Sequence, residues 1–251
     1  MKISRKKLIA GNWKMNGTLG SIDELKQIRK LCNVEYCELA LCPPSTLLTE
    51  AQNIFRKTFI KVGAQNCHEK ISGAYTGEIS AEMLADIGVE MVILGHSERR
   101  EQYLEKDALV REKASTVNSK GLTSIICVGE TEIQKKSGQT ETAVLKQLKD
   151  SLPNGFNEKN TVVAYEPVWA IGSGITPTYH EIADVHSNLR SLVAQESNDK
   201  IAKNIRIIYG GSVKPTNARD ILNIANVDGA LVGGASLIAK DLSKIVKALS
   251  N

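Results

Sequence analysis

The sequence predicts an α/β fold, a closed (β/α)8 barrel whose parallel strands alternate with helices. Short apolar runs recur along the whole chain, separated by segments with helical spacing. The runs are continuously apolar rather than alternating, which is typical of parallel strands buried on both faces. Eight such units in 251 residues match the usual length of a barrel of this kind.

An open, doubly wound sheet is the alternative arrangement. It would usually carry a GxGxxG or P-loop motif after its first strand, and the sequence contains neither at that place. No linker, low-complexity segment or shift in composition divides the chain. We therefore expect residues 1–251 to form a single barrel domain.

The strands are predicted from the apolar runs and the residues that end them. We predict strands at residues 8–10, 39–42, 60–64, 91–94, 124–128, 161–165, 205–208 and 230–232. The pair Pro43-Pro44 ends the second strand and Pro167 follows the sixth, because proline lacks the N–H that a strand ladder requires.

Capping-box patterns, in which a serine or threonine precedes a glutamate or glutamine by three residues, predict helix starts. The three pairs are Ser21 with Glu24, Thr131 with Gln134, and Thr178 with Glu181. Helices are predicted at about 21–31 and 46–55. The helix after Thr178 is predicted to bury Ile182, Val185, Leu189 and Val193, and the last helix Ile238, Leu242, Ile245 and Leu249.

Composition argues against several function classes. The net charge of +4 is scattered and aromatic content is 4%, so we expect no nucleic-acid partner. No run approaches transmembrane length, and the basic start is followed by too few apolar residues for a signal peptide, so we expect no membrane partner. The five cysteines form no CxxC pair, which favours reduced thiols. These features predict a cytoplasmic enzyme.

Residues 164–174 carry a carboxylate where the sixth strand ends. Glu166 is followed by Pro167, a compact apolar segment at 168–171, and Gly172-Ser173-Gly174. One interpretation is an ordinary strand-to-helix connection. The other is a general base beside a lid, since a stiff middle with flexible ends can move as one piece.

Other polar residues and glycine pairs follow further strands. They are Asn12 and Lys14 after the first strand, His96 after the fourth, Gly210-Gly211 and Ser212 after the seventh, and Gly233-Gly234 after the eighth. Barrels of this type place the active site at the C-terminal ends of the strands and commonly hold phosphate after the last two. A lone glycine pair is usually a turn, but Gly233-Gly234 leads into a plausible helix start that favours an anion.

A lysine and a histidine at the strand ends also suggest chemistry. Lys14 at a strand end would be a fixed cation for an anionic substrate. His96 precedes a possible helix start at Ser97-Glu98, whose positive end disfavours imidazolium. Arg99 and Arg100 are interpreted as surface or ion-pair residues. No His or Cys pair has metal-ligand spacing and no GxSxG occurs, so we expect no metal, no cofactor and no covalent intermediate.

Together these motifs resemble the triosephosphate isomerase family over essentially the whole chain. The motifs at 11–14, 94–100, 164–174, 209–213 and 232–237 occur in the family's order. The resemblance implies a TIM barrel and a glycolytic and gluconeogenic isomerase acting on dihydroxyacetone phosphate and D-glyceraldehyde 3-phosphate. It makes Glu166 the base, His96 the electrophile, and Asn12 and Lys14 substrate-binding. A glutamate base with a neutral histidine is the known arrangement of this family.

The resemblance also implies supporting residues and a lid at 167–177. Phosphate would be bound by Gly172, Ser212, Gly233 and Gly234, and Glu98, Ser97, Cys127 and Tyr209 would support the site, with Glu98 orienting Lys14. In the family, the tyrosine matching Tyr209 accepts a backbone N–H from an alanine in the lid. Pro177 stands there and has no N–H, so that latch cannot form, whereas Ser212 bonded to the Gly174 N–H remains possible.

The long polar loop at 65–78 would, taken alone, be a surface loop. In the family it inserts into a second subunit beside Asn12 and Lys14, which implies a homodimer with Tyr75, Thr76 and Gly77 in the docking segment. Met15 stands where the family often has cysteine.

Two other functions were weighed against the isomerase. A metal-dependent sugar-phosphate epimerase would need His and carboxylate ligands at several strand ends, which are missing. A catalytically inactive barrel kept for binding would be expected to lose Glu166, His96 or Lys14, and all three are present.

Overall fold

The computed structural model describes residues 5–171 and 176–250, and eight parallel strands in it close into a barrel in the order β1 to β8. The strands are β1 Leu8–Asn12, β2 Glu38–Cys42, β3 Ile60–Ala64, β4 Met91–Leu94, β5 Thr123–Val128, β6 Thr161–Tyr165, β7 Arg206–Tyr209 and β8 Gly229–Val232. The predicted closed (β/α)8 barrel is confirmed. Three strands have the predicted bounds, and the ends of the other five differ from the prediction by at most two residues.

Helices surround the barrel within the described residues. They are α1 Ile22–Cys32, α2 Leu48–Phe55, α3 Ala81–Asp86, α4 Ser97–Gln102, α5 Asp107–Ser119, α6 Glu132–Lys136, α7 Thr140–Ser151, α8 Tyr179–Glu196, α9 Asp199–Asn204, α10 Ala218–Asn223 and α11 Ala239–Lys247. Single 3₁₀ turns lie at Leu19–Ser21, Ser45–Leu47, Val168–Ala170 and Gly234–Leu237.

In every strand except β3, alternate residues enter two separate apolar layers. Leu8 and Ala10 of β1 belong to a cluster that fills the barrel interior, with side chains such as Met91, Ile125 and Val162. Their neighbours on the strands pack outward against the helices. Both strand faces are therefore buried, which explains the continuous apolar runs in the sequence.

The helix predictions were right where they depended on local contacts. Thr131 and Thr178 accept the N–H groups of Gln134 and Glu181, as their capping boxes predicted. The predicted face of α8 is buried.

Two predictions near α1 and α11 were wrong. The helix predicted from Ser21 and Glu24 does begin at Ile22, but the two side chains form no capping box, and Ile238 is not buried. Ser21 accepts the N–H of Thr18 across a 3₁₀ turn, while Glu24 accepts the N–H of Ala239 at the start of α11. Ile238 is 52% exposed because it precedes α11 instead of belonging to its buried face. For Glu24, packing between distant segments decided the outcome.

A buried ion-pair network lies at the N-terminal end of the strands. Asp228 accepts N–H groups from Arg5 at 2.6 Å, Arg190 at 2.5 Å and the backbone of Ile207 at 2.9 Å. The network joins the start of the chain to the connection before β8. Of the helices described, none has the length and apolar character needed to cross a membrane.

Candidate active site

A cavity of about 260 Å³ opens at the C-terminal ends of the strands. It brings together the predicted side chains of Asn12, Lys14, His96, Glu166 and Ser212 with the glycines at 210, 211, 233 and 234. These residues come from the ends of five strands, so closure of the barrel creates the site. Gly172, also predicted here, lies outside the described residues.

Glu166 occupies the wall of this cavity and is only 2% exposed. Its Oε1 lies 3.0 Å from His96 Nε2, and its Oε2 accepts the Ser97 N–H at 3.1 Å. Burial by itself raises the pKa of Glu166, but His96 and the Ser97 N–H outweigh burial and hold the pKa below its usual value. The thiol of buried Cys127 lies beside the same carboxylate, and its own pKa is raised by burial and by Glu166.

His96 is placed by the start of α4, as the sequence predicted. Its Nδ1 accepts the Glu98 N–H at 3.2 Å, so that nitrogen carries no proton. Burial lowers the pKa of His96 and the Glu166 carboxylate raises it, with a net rise. A second ring proton would have to lie on Nδ1, where it would face the Glu98 N–H and break that hydrogen bond. While that bond is made, the ring is neutral and directs its one proton from Nε2 toward Glu166.

Lys14 adopts a left-handed backbone conformation, with φ of 54°. Asn12 Oδ1 accepts the Lys14 N–H at 3.0 Å, and Gln65 Nε2 donates to the carbonyls of Lys14 and Cys42, each at 2.9 Å. Lys14 Nζ lies 2.5 Å from Glu98 Oε1, the pairing that the resemblance implied. The ammonium group is therefore held in one place at the mouth.

The phosphate-binding role predicted for the glycines has a matching geometry. A β-carbon built on Gly234 would meet nothing within 4 Å, and one on Gly233 would meet only the Lys14 side chain, at 3.7 Å. The 3₁₀ turn Gly234–Leu237 begins at this point. Backbone N–H groups are thus open to an anion with no side chain in the way.

Known proteins of one family resemble this chain over almost its whole length. The model of the family described as triosephosphate isomerase matches residues 7–249. The chain is 51% identical over 245 residues to triosephosphate isomerase from Ruegeria pomeroyi, covering 98% of each chain. It is 47% identical over 244 residues to the Rhizobium meliloti enzyme of that name, covering 96% of this chain and 95% of the relative.

The chain belongs to the triosephosphate isomerase family. The crystal structure of triosephosphate isomerase from Bartonella henselae matches it with a TM-score of 0.92 and 43% identity, covering 98% of this chain and 100% of that one. The predictions of this family and of an isomerase are confirmed. A catalytically inactive barrel is not favoured.

Sequence reasoning missed three polar side chains in this family member's site. Gln65 supports the Lys14 backbone, and Lys214 lines the cavity beside Ser212. Glu130 lies buried under the residues after β6, and its Oε1 accepts Trp169 Nε1–H at 2.7 Å and the Tyr165 hydroxyl at 3.2 Å. Burial raises the pKa of Glu130 despite these donors. No local pattern marked these residues, and Gln65 and Glu130 act on segments distant in sequence.

The lid latch predicted to fail involves Tyr209 and Pro177. The Tyr209 hydroxyl is buried and has no hydrogen-bond partner among the described residues. Pro177 is buried as well. The alternative partner of Ser212, Gly174, lies outside the described residues. Among residues 5–171 and 176–250, no group of three or more His, Cys, Asp or Glu side chains is placed to hold a metal ion.

Proposed function

We propose that this cavity interconverts dihydroxyacetone phosphate and D-glyceraldehyde 3-phosphate by proton transfer through an enediol(ate). The observation that carries the proposal is the convergence of a carboxylate, a neutral imidazole and a fixed ammonium on a glycine-lined cavity. These groups suit removal of a proton next to a carbonyl. Family membership supplies the substrate pair.

The four polar groups have different roles in the proposed reaction. Glu166 takes the proton from the carbon beside the carbonyl and returns it to the neighbouring carbon. His96 donates its Nε2–H to the oxygens on which negative charge develops. Lys14 balances that charge, and Asn12 holds both the substrate and the Lys14 backbone.

Glu166 must leave its present partners to act as the base. Its two oxygens face His96 Nε2 and the Ser97 N–H. These donors keep the pKa of the carboxyl low despite burial. A carboxylate that turns toward substrate loses them while staying out of water, so it becomes a stronger base where the reaction occurs.

The substrate phosphate would bind at the glycine end of the cavity. Ser212, Gly233 and Gly234 line that end, and Gly172 would complete it from the lid. Closure of residues 167–177 would exclude water and protect the enediol(ate) from loss of phosphate. The hydrogen bonds that Trp169 and Val168 make to Glu130, at 2.7 and 3.2 Å, fix one stem of that lid.

A homodimer is proposed from a second groove. It has a volume of about 740 Å³, adjoins the cavity, and is lined by Lys14, Met15 and Tyr103. Met15 is 96% and Tyr103 65% exposed, which is unusual for large apolar side chains grouped together. Residues 71–78 are exposed and could enter this groove on a second copy. Tyr75, Thr76 and Gly77 would make the docking contact.

Two further proposals concern the chain as a whole. We infer that residues 1–251 form one catalytic domain, because the closed barrel uses strands from the start to the end of the chain. We also infer that it works in the cytoplasm. All five cysteines are buried free thiols, which suits a reducing compartment.

A coupled assay on the purified protein tests the reaction. Glyceraldehyde 3-phosphate is supplied, and formation of dihydroxyacetone phosphate is followed by a dehydrogenase that reduces it. We expect turnover without added metal or cofactor. A well-folded protein with no turnover in either direction would contradict the proposed function.

A further inference from the structure

Gly129, the first residue after β5, packs directly on the main chain of Glu166. A β-carbon on Gly129 would lie 1.6 Å from the Glu166 carbonyl oxygen and 2.6 Å from its carbonyl carbon. No other residue type fits at this distance. The backbone position of the proposed base therefore depends on where Gly129 lies.

The residues on both sides of Gly129 hold the same segment. The Glu166 N–H donates to the Val128 carbonyl at 2.8 Å, and the Val168 N–H donates to the Glu130 carbonyl at 3.2 Å. The connection after β5 thus supports both the base and the first residues of the lid.

Gly129 itself lies beyond the strand ladder. The pairing of β5 with β6 ends at Val128 and Tyr165. A glycine without ladder bonds has access to many backbone conformations, so its position must be fixed by other contacts.

The side chain of Gln147 provides those contacts. Its Oε1 accepts the Gly129 N–H at 2.9 Å, and its Nε2 donates to the Gly129 carbonyl at 3.0 Å. The primary amide thus pairs with both backbone groups of one residue, as a neighbouring strand would. Gln147 lies on α7 outside the barrel and does not line the cavity.

We propose that Gln147 is a positioning residue for the reaction, which sets the location of Glu166 and of the lid stem through Gly129. This inference rests on the proposed role of Glu166 as the base. Without the amide, both backbone groups of Gly129 lose their partners and the segment 128–130 can shift. Small displacements of a reacting group slow the chemical step much more than they weaken substrate binding.

The first test replaces Gln147 by leucine, which has a similar size and no amide. We expect kcat to fall roughly 10-fold while KM changes less than about 2-fold. The matched control is Gln52→Leu. Gln52 donates to the carbonyl of another glycine, Gly88, and lines neither the cavity nor the groove. The control should leave kcat and KM unchanged.

The second test is Gln147→Glu, which keeps the proposal testable if the leucine variant does not fold. An ionised carboxylate can accept the Gly129 N–H but faces the Gly129 carbonyl without a proton to donate. A protonated carboxyl restores both bonds. The half-buried position and the facing carbonyl should raise the pKa of this carboxyl above that of a free glutamate. The variant's kcat relative to the unaltered protein should therefore rise as pH falls from about 8 to about 5.5. The same ratio for Gln147→Leu should be independent of pH.

The outcomes separate this proposal from the proposed function. If Glu166→Gln is inactive but both Gln147 variants keep the full kcat, Gln147 does not position the base. An equal loss of kcat in Gln52→Leu would mean that the effect is general destabilisation, and a change in KM alone would also overturn the proposal. Full activity of Glu166→Gln would instead reject the assignment of the base.

Discussion

At the scale of single residues, the pKa of Glu166 is set by two opposing influences. Burial raises it, and two hydrogen-bond donors lower it. The carboxylate is only 2% exposed, yet it faces His96 Nε2 and the Ser97 N–H. Burial favours the protonated acid and the donors favour the anion. The net result is a carboxylate that stays ionised in a buried position.

Replacing Glu166 by glutamine tests the base directly. Glutamine keeps the shape and cannot accept the proton, so kcat should fall by at least about 10²-fold with a modest change in ligand binding. Steady-state kinetics and binding of a phosphate-bearing inhibitor measure the two effects. Glu112→Gln, an exposed change of the same chemistry, is the control. Turnover near the normal rate would show that another group is the base.

At the scale of elements, the short helix α4 organises two strand ends at once. Its first residues contact Glu166, and Arg100 on its last turn donates to the carbonyls of Gly95 at 2.8 Å and Cys127 at 3.1 Å. Arg100 also pairs with Asp107 at 2.6 Å. The interpretation of Arg100 as an ion-pair residue was right but incomplete, because the guanidinium also ties the ends of β4 and β5 together.

The lid gives a prediction that compares two variants. Tyr209 has no hydroxyl partner among the described residues and Pro177 offers no N–H, whereas Ser212 lines the cavity. We expect Ser212→Ala to lose roughly 1–2 kcal/mol of closed-state stabilisation, about a 10-fold effect, and Tyr209→Phe to cost less. Pro177 could offset part of the missing latch, because it restricts the open hinge.

Kinetics of both variants and a structure with a phosphate-bearing inhibitor provide the measurements. The inhibitor complex should have Ser212 bonded to the closed lid and no bond between Tyr209 and residue 177. If Tyr209→Phe is the more damaging change, the Tyr209 hydroxyl must have another partner in the closed state, because Pro177 has no backbone N–H to donate.

At the scale of the whole molecule, assembly and stability depend on contacts far from the reacting groups. The groove beside Lys14 is open in a single chain, and the buried network around Asp228 joins Arg5, Arg190 and β7 at the opposite end. The groove and the buried His186, whose pKa is influenced by Asp228 and Arg190 of this network, each give a separate prediction.

The proposed dimer is tested by Thr76→Arg. A bulky charge at a buried contact should yield monomers with poor activity, because the groove next to Lys14 would lose its covering loop. Light scattering gives the mass and the coupled assay gives the activity. Thr142→Arg, on an exposed part of α7, should remain dimeric and active. An unchanged dimer in Thr76→Arg would exclude this docking.

Stability should fall in weak acid because of His186. Burial lowers the pKa of His186 from 6.5 to about 4, and its Nδ1 lies 3.1 Å from the Asn226 carbonyl. At a pH between these two pKa values, His186 binds a proton in the unfolded chain but not in the folded protein. The free energy of unfolding should thus decrease as pH falls below about 6.5, by about 2 kcal/mol from this residue between pH 7 and pH 5.

Urea unfolding at about pH 7 and about pH 5, at one protein concentration, measures this change in the free energy of unfolding. His186→Gln removes the titrating ring and keeps an N–H for the Asn226 carbonyl. This variant should lose about 2 kcal/mol of the pH dependence. An identical pH dependence in the two proteins would mean that other groups cause it.

From the sequence alone we could predict the strands, their order around the barrel, the family and the residues that meet at the mouth. Each of these follows from patterns among close neighbours: apolar runs, prolines, two of the three capping boxes, and motifs placed at strand ends. A closed parallel barrel then brings every strand's C-terminal end to one side, so the convergence of Asn12, Lys14, His96 and Glu166 could be predicted without coordinates.

The side chains that hold those residues in place could be identified only from the folded molecule. Glu24 caps the start of α11, Gln65 supports Lys14, Glu130 lies under Trp169, and Gln147 holds Gly129. A glutamine or glutamate is compatible with almost any surface position, so its identity carries no signal for a partner far away in sequence. Such partners are chosen by the packing of helices against the barrel, which exists only once the whole chain has folded.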